Sequence, residues 1–275
     1  IAGRYREGFA LDETNLVYRS AKQLWQRAGY TPSGVSMRLV NNIPPSRGLG
    51  SSSAAIIGGL YSANIVAGSP FCREEILNLA TDLEGHPDNV AAALYGGASL
   101  ALRQPAGACI YRSLGQLNGL KMVAAVPSMK LSTKLARSLL PQSVSMDDAV
   151  WNLSCTGLLV TAFLTGDYSL LSAAMTDKLH EKYRSQAIPG MQGALTAAKE
   201  AGALAAVLSG AGPTLMAFLP DAANPTQVGL AMGHAFNQAG VECEIMNLAP
   251  DNLGATVIES FSQELTNLTI GGMAC

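Results

Sequence analysis

Pro44-Pro45-Ser46-Arg47-Gly48-Leu49-Gly50-Ser51-Ser52-Ser53-Ala54 is the stretch that decides how this sequence is read. Upstream, Val35 to Val40 alternates apolar and polar residues, with Val35, Met37 and Leu39 on one side, which predicts a strand with one wet face. Downstream, Ser51 opens a helix to about Ala67, and its Ala54, Ala55, Gly58 and Gly59 predict close backbone packing against a sheet. The connection between them is dense in turn formers. A strand, a glycine loop and a helix start together make a place to hold an anion. Gly48 and Gly50 let the backbone approach a ligand and adopt positive φ. The free N–H groups of the helix start point outward, and the macrodipole adds about half a positive charge there. Ser51, Ser52 and Ser53 can donate to phosphate oxygens or ligate Mg²⁺. This is not a Walker loop, because no Lys-Ser/Thr pair follows the glycines. As a dinucleotide fingerprint it has Ser53 in place of the third glycine, and Glu74 and Glu75, the nearest acidic partners, fall inside a helical pattern. A glycine-rich connection capped by serine has the same composition.

Two further segments bear on that reading. Leu208-Ser209-Gly210-Ala211-Gly212-Pro213-Thr214 lies between two predicted strands, Leu204–Leu208 and Leu215–Leu219. Gly210 and Gly212 beside a serine suit a backbone nest for an anion, and equally a plain glycine turn. Glu84-Gly85-His86-Pro87-Asp88-Asn89 follows a helix predicted from about Arg73 to Leu83. Glu84 is placed to ligate Mg²⁺, which favours one carboxylate together with phosphates and retained waters. Taken singly, Glu84 also fits a solvated helix end, His86 a turn histidine, and Asp88-Asn89 an ordinary N-cap.

The rest of the chain reads as alternating helices and strands. Asp12-Glu13-Thr14 caps a helix running through Leu16, Leu24 and Trp25 to about Gly29. Strands are predicted at Ala98–Leu102, Ala108–Tyr111, Lys121–Val126, Val241–Met246 and Thr256–Ile258. Helices are predicted at Thr133–Leu139, Asp147–Thr165, Tyr168–Met175, Gly190–Ala201 and Thr226–Ala239. The change of pattern near Pro127 suggests an N-terminal domain over 1–127, a C-terminal domain over 128–258 and a tail over 259–275. The chain opens at Ile1 rather than Met, so further residues are expected upstream.

Composition excludes several classes. With 48% apolar and 14% charged residues among 275, the chain can bury enough surface to fold, so disorder is excluded. Lys plus Arg total 18 against 20 Asp plus Glu, with no basic run, which argues against nucleic acid. No apolar stretch approaches the roughly 20 residues of a membrane span. The five cysteines are scattered and never spaced as CxxC, and only three histidines occur, so zinc has little support and a reducing, cytoplasmic home is expected.

Together, the three segments resemble the three-motif pattern of the GHMP small-molecule kinases. Pro44–Ala54 is similar to their phosphate loop and Leu208–Thr214 to their C-terminal glycine motif. Glu84–Asn89 with Val90-Ala91-Ala92-Ala93-Leu94-Tyr95-Gly96-Gly97 resembles the homoserine kinase group among them. Asp12–Arg19, Leu131-Ser132-Thr133 and Tyr183-Arg184 with Ile188-Pro189-Gly190 match that group in order, so the likeness covers about residues 11–258. Cys155 stands where many members carry Arg or Gln.

The resemblance implies an α+β fold of two domains, the N-terminal one with a left-handed β-α-β unit and the C-terminal one ferredoxin-like. It implies ATP as phosphoryl donor, lying along Pro44, Pro45, Ser46, Arg47, Gly48, Leu49, Gly50, Ser51, Ser52, Ser53 and Ala54, with Gly210 and Gly212 bordering it. Ser52 and Glu84 would share Mg²⁺, while His86, Asn89 and Arg184 would contact L-homoserine, the small-molecule acceptor. Asn89 and Arg184 are the implied catalytic residues, and Asn89 stands where galactokinase and mevalonate kinase have an Asp able to act as base. The resemblance is compatible with a homodimer. A kinase for another small alcohol, or a nucleotide sensor without turnover, shares the same motifs.

Overall fold

The structure is a computed structural model and describes residues 1–258, so the expected tail over 259–275 lies outside the described residues. The chain divides into two compact units. Among the described residues one holds 1–45, 50–114 and 251–258; the other holds Ser46–Leu49 and Gly115–Pro250. The boundary expected near Pro127 therefore falls at Leu114/Gly115, because the strand before Pro127 belongs to the sheet of the second unit. The division also passes through the glycine loop itself, between Leu49 and Gly50.

The first unit is built on four helices, α1 (Leu16–Ala28), α2 (Ser51–Val66), α3 (Arg73–Glu84) and α4 (Asp88–Tyr95), followed by paired strands β1 (Ala98–Arg103) and β2 (Cys109–Gly115). The cap of α1 is Asn15, whose Oδ1 accepts from Val17 N–H at 2.9 Å, while Asp12 instead closes a turn onto Thr14. The small residues of α2 meet a helix rather than the expected sheet. A Cβ on Gly59 would lie 2.3 Å from the carbonyl oxygen of Val17, so α1 and α2 approach backbone to backbone. Trp25 Nε1–H donates to Ala63 O at 3.1 Å across the same contact. Leu24, Ile56, Ile57, Leu60, Ile76, Leu77 and Leu94 are fully buried here. Each such side chain contributes about 1.5–3 kcal/mol relative to exposure.

The strand expected over Val35–Val40 does not form. Only Val40 pairs, in a single parallel bridge to Ala2, which with α1 between them makes a minimal β-α-β unit. Val35 and Met37 stay exposed, since alternation alone cannot hold a strand whose backbone finds no ladder partner. The strand expected at Thr256–Ile258 is likewise reduced to a bridge at Val257.

The second unit runs β3 (Leu120–Pro127), α5 (Thr133–Ser138), α6 (Met146–Thr165), α7 (Leu171–Ala174), α8 (Glu181–Arg184), α9 (Met191–Glu200), β4 (Ala205–Leu208), β5 (Leu215–Pro220), α10 (Pro225–Gln238) and β6 (Cys243–Leu248). Its antiparallel sheet has the order β4-β5-β3-β6, with Val123 opposite both Ala217 and Asn247. Strand, helices, two strands, helix and strand along the chain, with that order in the sheet, is the β-α-β-β-α-β ferredoxin-like arrangement that was expected. Val123, Ala125, Leu215, Ala217 and Leu219 form a core with Met191, Ala194 and Leu195 of α9 and Val228, Met232 and Phe236 of α10. No described helix is long and apolar enough to cross a membrane.

Candidate active site

In the first unit, the start of α2 has no side-chain cap, a feature it shares with α9, whose cap is Gly190. Asn15, Ser145 and Asn224 cap α1, α6 and α10 with side-chain oxygens, whereas the cap of α2 is Gly50, at φ 70° and with no side chain to offer. The first turn of α2 also lacks any acidic residue, so its outward N–H groups and the positive end of its dipole await an external acceptor. Beside it, Ser52 Oγ–H and Ser53 Oγ–H both donate to Glu84 Oε1, at 2.7 and 3.0 Å. Ser53 is fully buried and Ser52 exposed, so Ser53 fixes the carboxylate while Ser52 faces outward with it. Glu84 is the last residue of α3, which delivers it to this point.

A serine hydroxyl beside a carboxylate is a hard oxygen pair suited to Mg²⁺. Among the described residues no group of three or more His, Cys, Asp or Glu could hold a metal by itself, so a cation here would complete its shell with ligand oxygens and water. Two residues beyond Glu84, His86 Nδ1 lies 2.5 Å from Asp88 Oδ1, which also accepts from Asn89 N–H at 2.8 Å. Asp88 is thus engaged as a brace, and Asn89 is exposed in the first turn of α4.

In the second unit, the glycine turn predicted between β4 and β5 grips residues 46–49. Ser209 Oγ–H donates to Gly48 O at 2.8 Å, and Thr214 N–H to Arg47 O at 3.3 Å. The Arg47 guanidinium donates to Ser128 O at 2.8 Å. Gly48 has φ 79°, and a Cβ there would sit 2.3 Å from Ser209 O. Arg47 Nη1 and Thr214 Oγ1 are buried without a hydrogen-bond partner. Buried orphans of this kind mark a place that water or ligand oxygens complete. Arg184, on α8, donates from Nη1 to Gly210 O at 2.9 Å and from Nε to Ala136 O at 3.4 Å, so two predicted site elements meet directly. Burial draws the Arg184 pKa below its ordinary value, though a guanidinium remains a cation.

Residues 15–97 match the GHMP kinases N terminal domain, and residues 159–238 match GHMP kinases C terminal. Over 246 residues the chain is 44% identical to the homoserine kinase of Moorella thermoacetica, covering 90% of this chain and 82% of that one. The chain belongs to the homoserine kinase family of GHMP kinases. The homoserine kinase of Desulfitobacterium hafniense is 43% identical over 258 residues, covering 94% of this chain and 86% of its own. The crystal structure of homoserine kinase from Cytophaga hutchinsonii superposes with a TM-score of 0.81 at 27% identity, covering 92% of this chain and 82% of that one.

This family member carries one supporting element that sequence reasoning missed. Asp177 accepts from Asn152 Nδ2–H at 2.9 Å and from the backbone N–H groups of Leu179, His180 and Glu181 at 2.8–2.9 Å. It thereby caps and holds the single turn α8 that presents Arg184. Glu181 Oε1 in turn accepts from Leu208 N–H at 2.8 Å, tying the turn to the end of β4. Burial would raise the Asp177 carboxyl, but hydrogen bonds from His180, Asn152 and the backbone outweigh it and hold the group well below the usual carboxylate range. An Asp placed three and four residues before His180 and Glu181 is the available sequence signal, a capping pattern. Cys155 is buried against Thr176 Oγ1 at 3.2 Å and serves as packing between α6 and the residues after α7.

Asp177→Asn should cost about 2–4 kcal/mol at neutral pH, since it weakens several charge-assisted bonds at once. Because the folded carboxyl is held below its unfolded value, this contribution is complete above about pH 4 and is lost as pH falls further. Urea unfolding of both proteins should show a constant gap from pH 5 to 8 that closes in acid. A gap independent of pH down to full acid unfolding would contradict the assignment.

Proposed function

We propose that this chain transfers the γ-phosphoryl group of ATP to the side-chain hydroxyl of L-homoserine, giving O-phospho-L-homoserine, a step of threonine biosynthesis, in the cytoplasm. The observation that carries the phosphoryl chemistry is the uncapped start of α2 beside the Ser52–Glu84 pair. The acceptor is assigned from the relatives named homoserine kinase.

In this reading Pro44–Ala54 lines the triphosphate, with the N–H groups of Ser51, Ser52 and Ser53 donating to its oxygens and Gly210 and Gly212 bordering it. Ser52 and Glu84 would hold Mg²⁺, which when bound neutralises charge on the phosphates. Phosphoryl transfer passes through a loose transition state, so alignment and charge neutralisation supply most of the rate. His86, steadied by Asp88, and Asn89 orient the homoserine hydroxyl and backbone groups. Arg184 supplies a fixed positive charge to the substrate carboxylate or to the transferring phosphoryl group. An amide cannot accept the hydroxyl proton, so Asn89 positions rather than deprotonates, and the proton leaves to a phosphate oxygen or water. Doing without a general base forgoes about 10²–10⁴-fold, which the dipole, loop N–H groups and cations offset.

Coupled ADP release measured with L-homoserine, mevalonate and galactose tests the proposal. Turnover is expected with homoserine, and nucleotide binding without turnover on any of the three would replace the kinase reading with a sensor. Within the site, Asn89→Ala should lower kcat/KM for homoserine by about 10–10²-fold, the cost of one lost orienting hydrogen bond. Asp88→Asn, which keeps an acceptor for His86, should cost less. The reverse ranking would make Asp88 the base.

A further inference from the structure

Residues 251–255 belong to the first unit, where they lie against the end of α4. Gly97 N–H donates to Asp251 O at 2.7 Å, and Ala255 N–H to Leu94 O at 3.1 Å. Between these two bonds the backbones touch. A Cβ on Gly96 would lie 2.4 Å from Gly254 N, and one on Gly254 would lie 2.5 Å from Gly96 N. Both glycines also have positive φ, 72° and 66°, so a side chain at either meets strain as well as a clash. The Asp251 carboxylate shapes the segment, Oδ1 accepting from Leu253 N–H at 2.8 Å and Gly254 N–H at 3.2 Å. Arg73 adds a further tie. Its Nη2 donates to Ala255 O at 3.1 Å, and its guanidinium lies 5.8 Å from the Tyr95 ring centroid. That ring also stacks on Tyr111, centroids 3.9 Å apart.

The last turn of α4 is therefore held from several sides, and its first turn is not. Pro87, at its start, offers no side-chain cap, and the helix buries only Val90, Ala91 and Leu94. Apolar packing of this kind permits small sliding along a helix axis, which backbone hydrogen bonds resist. Asn89 precedes Tyr95 by six residues on the same helix, about 9 Å along the axis at 1.5 Å per residue. A single short helix moves as one piece, so whatever fixes Tyr95 and Gly96 also fixes Asn89. We propose that Asp251 and Gly254 are positioning residues for the acceptor: they set how far α4 reaches along its axis, and through it where the Asn89 amide meets the substrate hydroxyl. This role rests on the reading of Asn89 as a group that orients L-homoserine. Among the described residues the hydrogen bonds of Asp251 and Gly254 go to Gly97 and within the segment. None goes to α2 or α3, which carry Ser52 and Glu84, so the nucleotide side is left in place.

ADP release by the full chain, with homoserine varied at saturating ATP and then the reverse, separates this role from a structural one. Gly254→Ala should raise the KM for homoserine about tenfold or more, since a displacement near 1 Å of a positioned group costs up to ~10²-fold. Asp251→Ala, which removes the side-chain acceptor but no bond of the main chain to Gly97, should raise it about three- to tenfold. In both variants the KM for ATP should stay within about twofold of wild type. Asp251→Asn keeps an Oδ1 acceptor and should restore the wild-type KM for homoserine. A purely structural loss would instead lower kcat through a smaller folded fraction, visible in thermal unfolding, with both KM values unchanged. That result would overturn the proposal, as would a KM for ATP that rises in step with that for homoserine. Should Gly254→Ala fail to fold, the two Asp251 variants decide alone. A wild-type chain that does not phosphorylate homoserine would remove the reading of Asn89 and this role with it. Wild-type turnover beside unshifted variants would overturn only the role of Asp251 and Gly254.

Discussion

Gly48→Ala is expected to lower kcat/KM by 10² or more while leaving most of the fold intact. Two independent costs meet at this residue. Its φ of 79° lies in the left-handed region that a Cβ disfavours, and that Cβ would stand 2.3 Å from Ser209 O and 2.9 Å from Gly212 N. Both obstructing atoms are backbone, so relief requires the loop 46–49 to move off the glycine turn, breaking the Ser209–Gly48 bond. A displacement near 1 Å of groups that align a reacting phosphate is enough for a loss on the order of 10²-fold. Steady-state kinetics with parallel thermal unfolding would check this, the KM for ATP rising as kcat falls. Gly58→Ala provides the contrast. Gly58 lies inside α2 with nothing within 4 Å of an added Cβ, so it should be silent in activity and stabilising by up to ~1 kcal/mol. If the two alanine variants behaved alike, the clasp between the loops would have no bearing on catalysis.

Glu84→Gln should reduce kcat by about 10²–10³-fold, the scale of losing one charged contact to a reacting phosphate. The amide oxygen of Gln can still accept from Ser52 and Ser53, so the geometry at the start of α2 survives and only the negative charge is lost. The diagnostic reading is the Mg²⁺ dependence of turnover. The variant should need a markedly higher Mg²⁺ concentration, and excess Mg²⁺ should restore part of the rate. An unchanged Mg²⁺ profile would assign Glu84 a purely structural role as the acceptor for two serines.

Much of the candidate site was legible because its chemistry is local in sequence. Gly48, Gly50 and three serines announce a glycine loop that opens a helix, and Glu84 announces a carboxylate at a helix end. That these two ends meet, through Ser52 and Ser53 on one oxygen, is a long-range fact carried by how α2 and α3 pack. The sheet of the second unit was legible because Met122–Val126 and Leu215–Leu219 are unbroken apolar runs covered by helices. Val35–Val40 misled because a strand exists only where a neighbouring backbone completes its hydrogen bonds. The small residues of α2 indicated close approach correctly, but nothing in them distinguishes a helix from a sheet as the partner. The four-residue turn α8 was invisible for a different reason. It is too short to have a periodicity and depends on Asn152, 25 residues before Asp177, for its support.

The most direct test is a crystal structure of this chain with Mg²⁺ and a non-hydrolysable ATP analogue. The triphosphate should lie against the N–H groups of Ser51, Ser52 and Ser53, with a metal ion in contact with Glu84. A nucleotide bound elsewhere, or phosphates pointing away from the start of α2, would contradict the account.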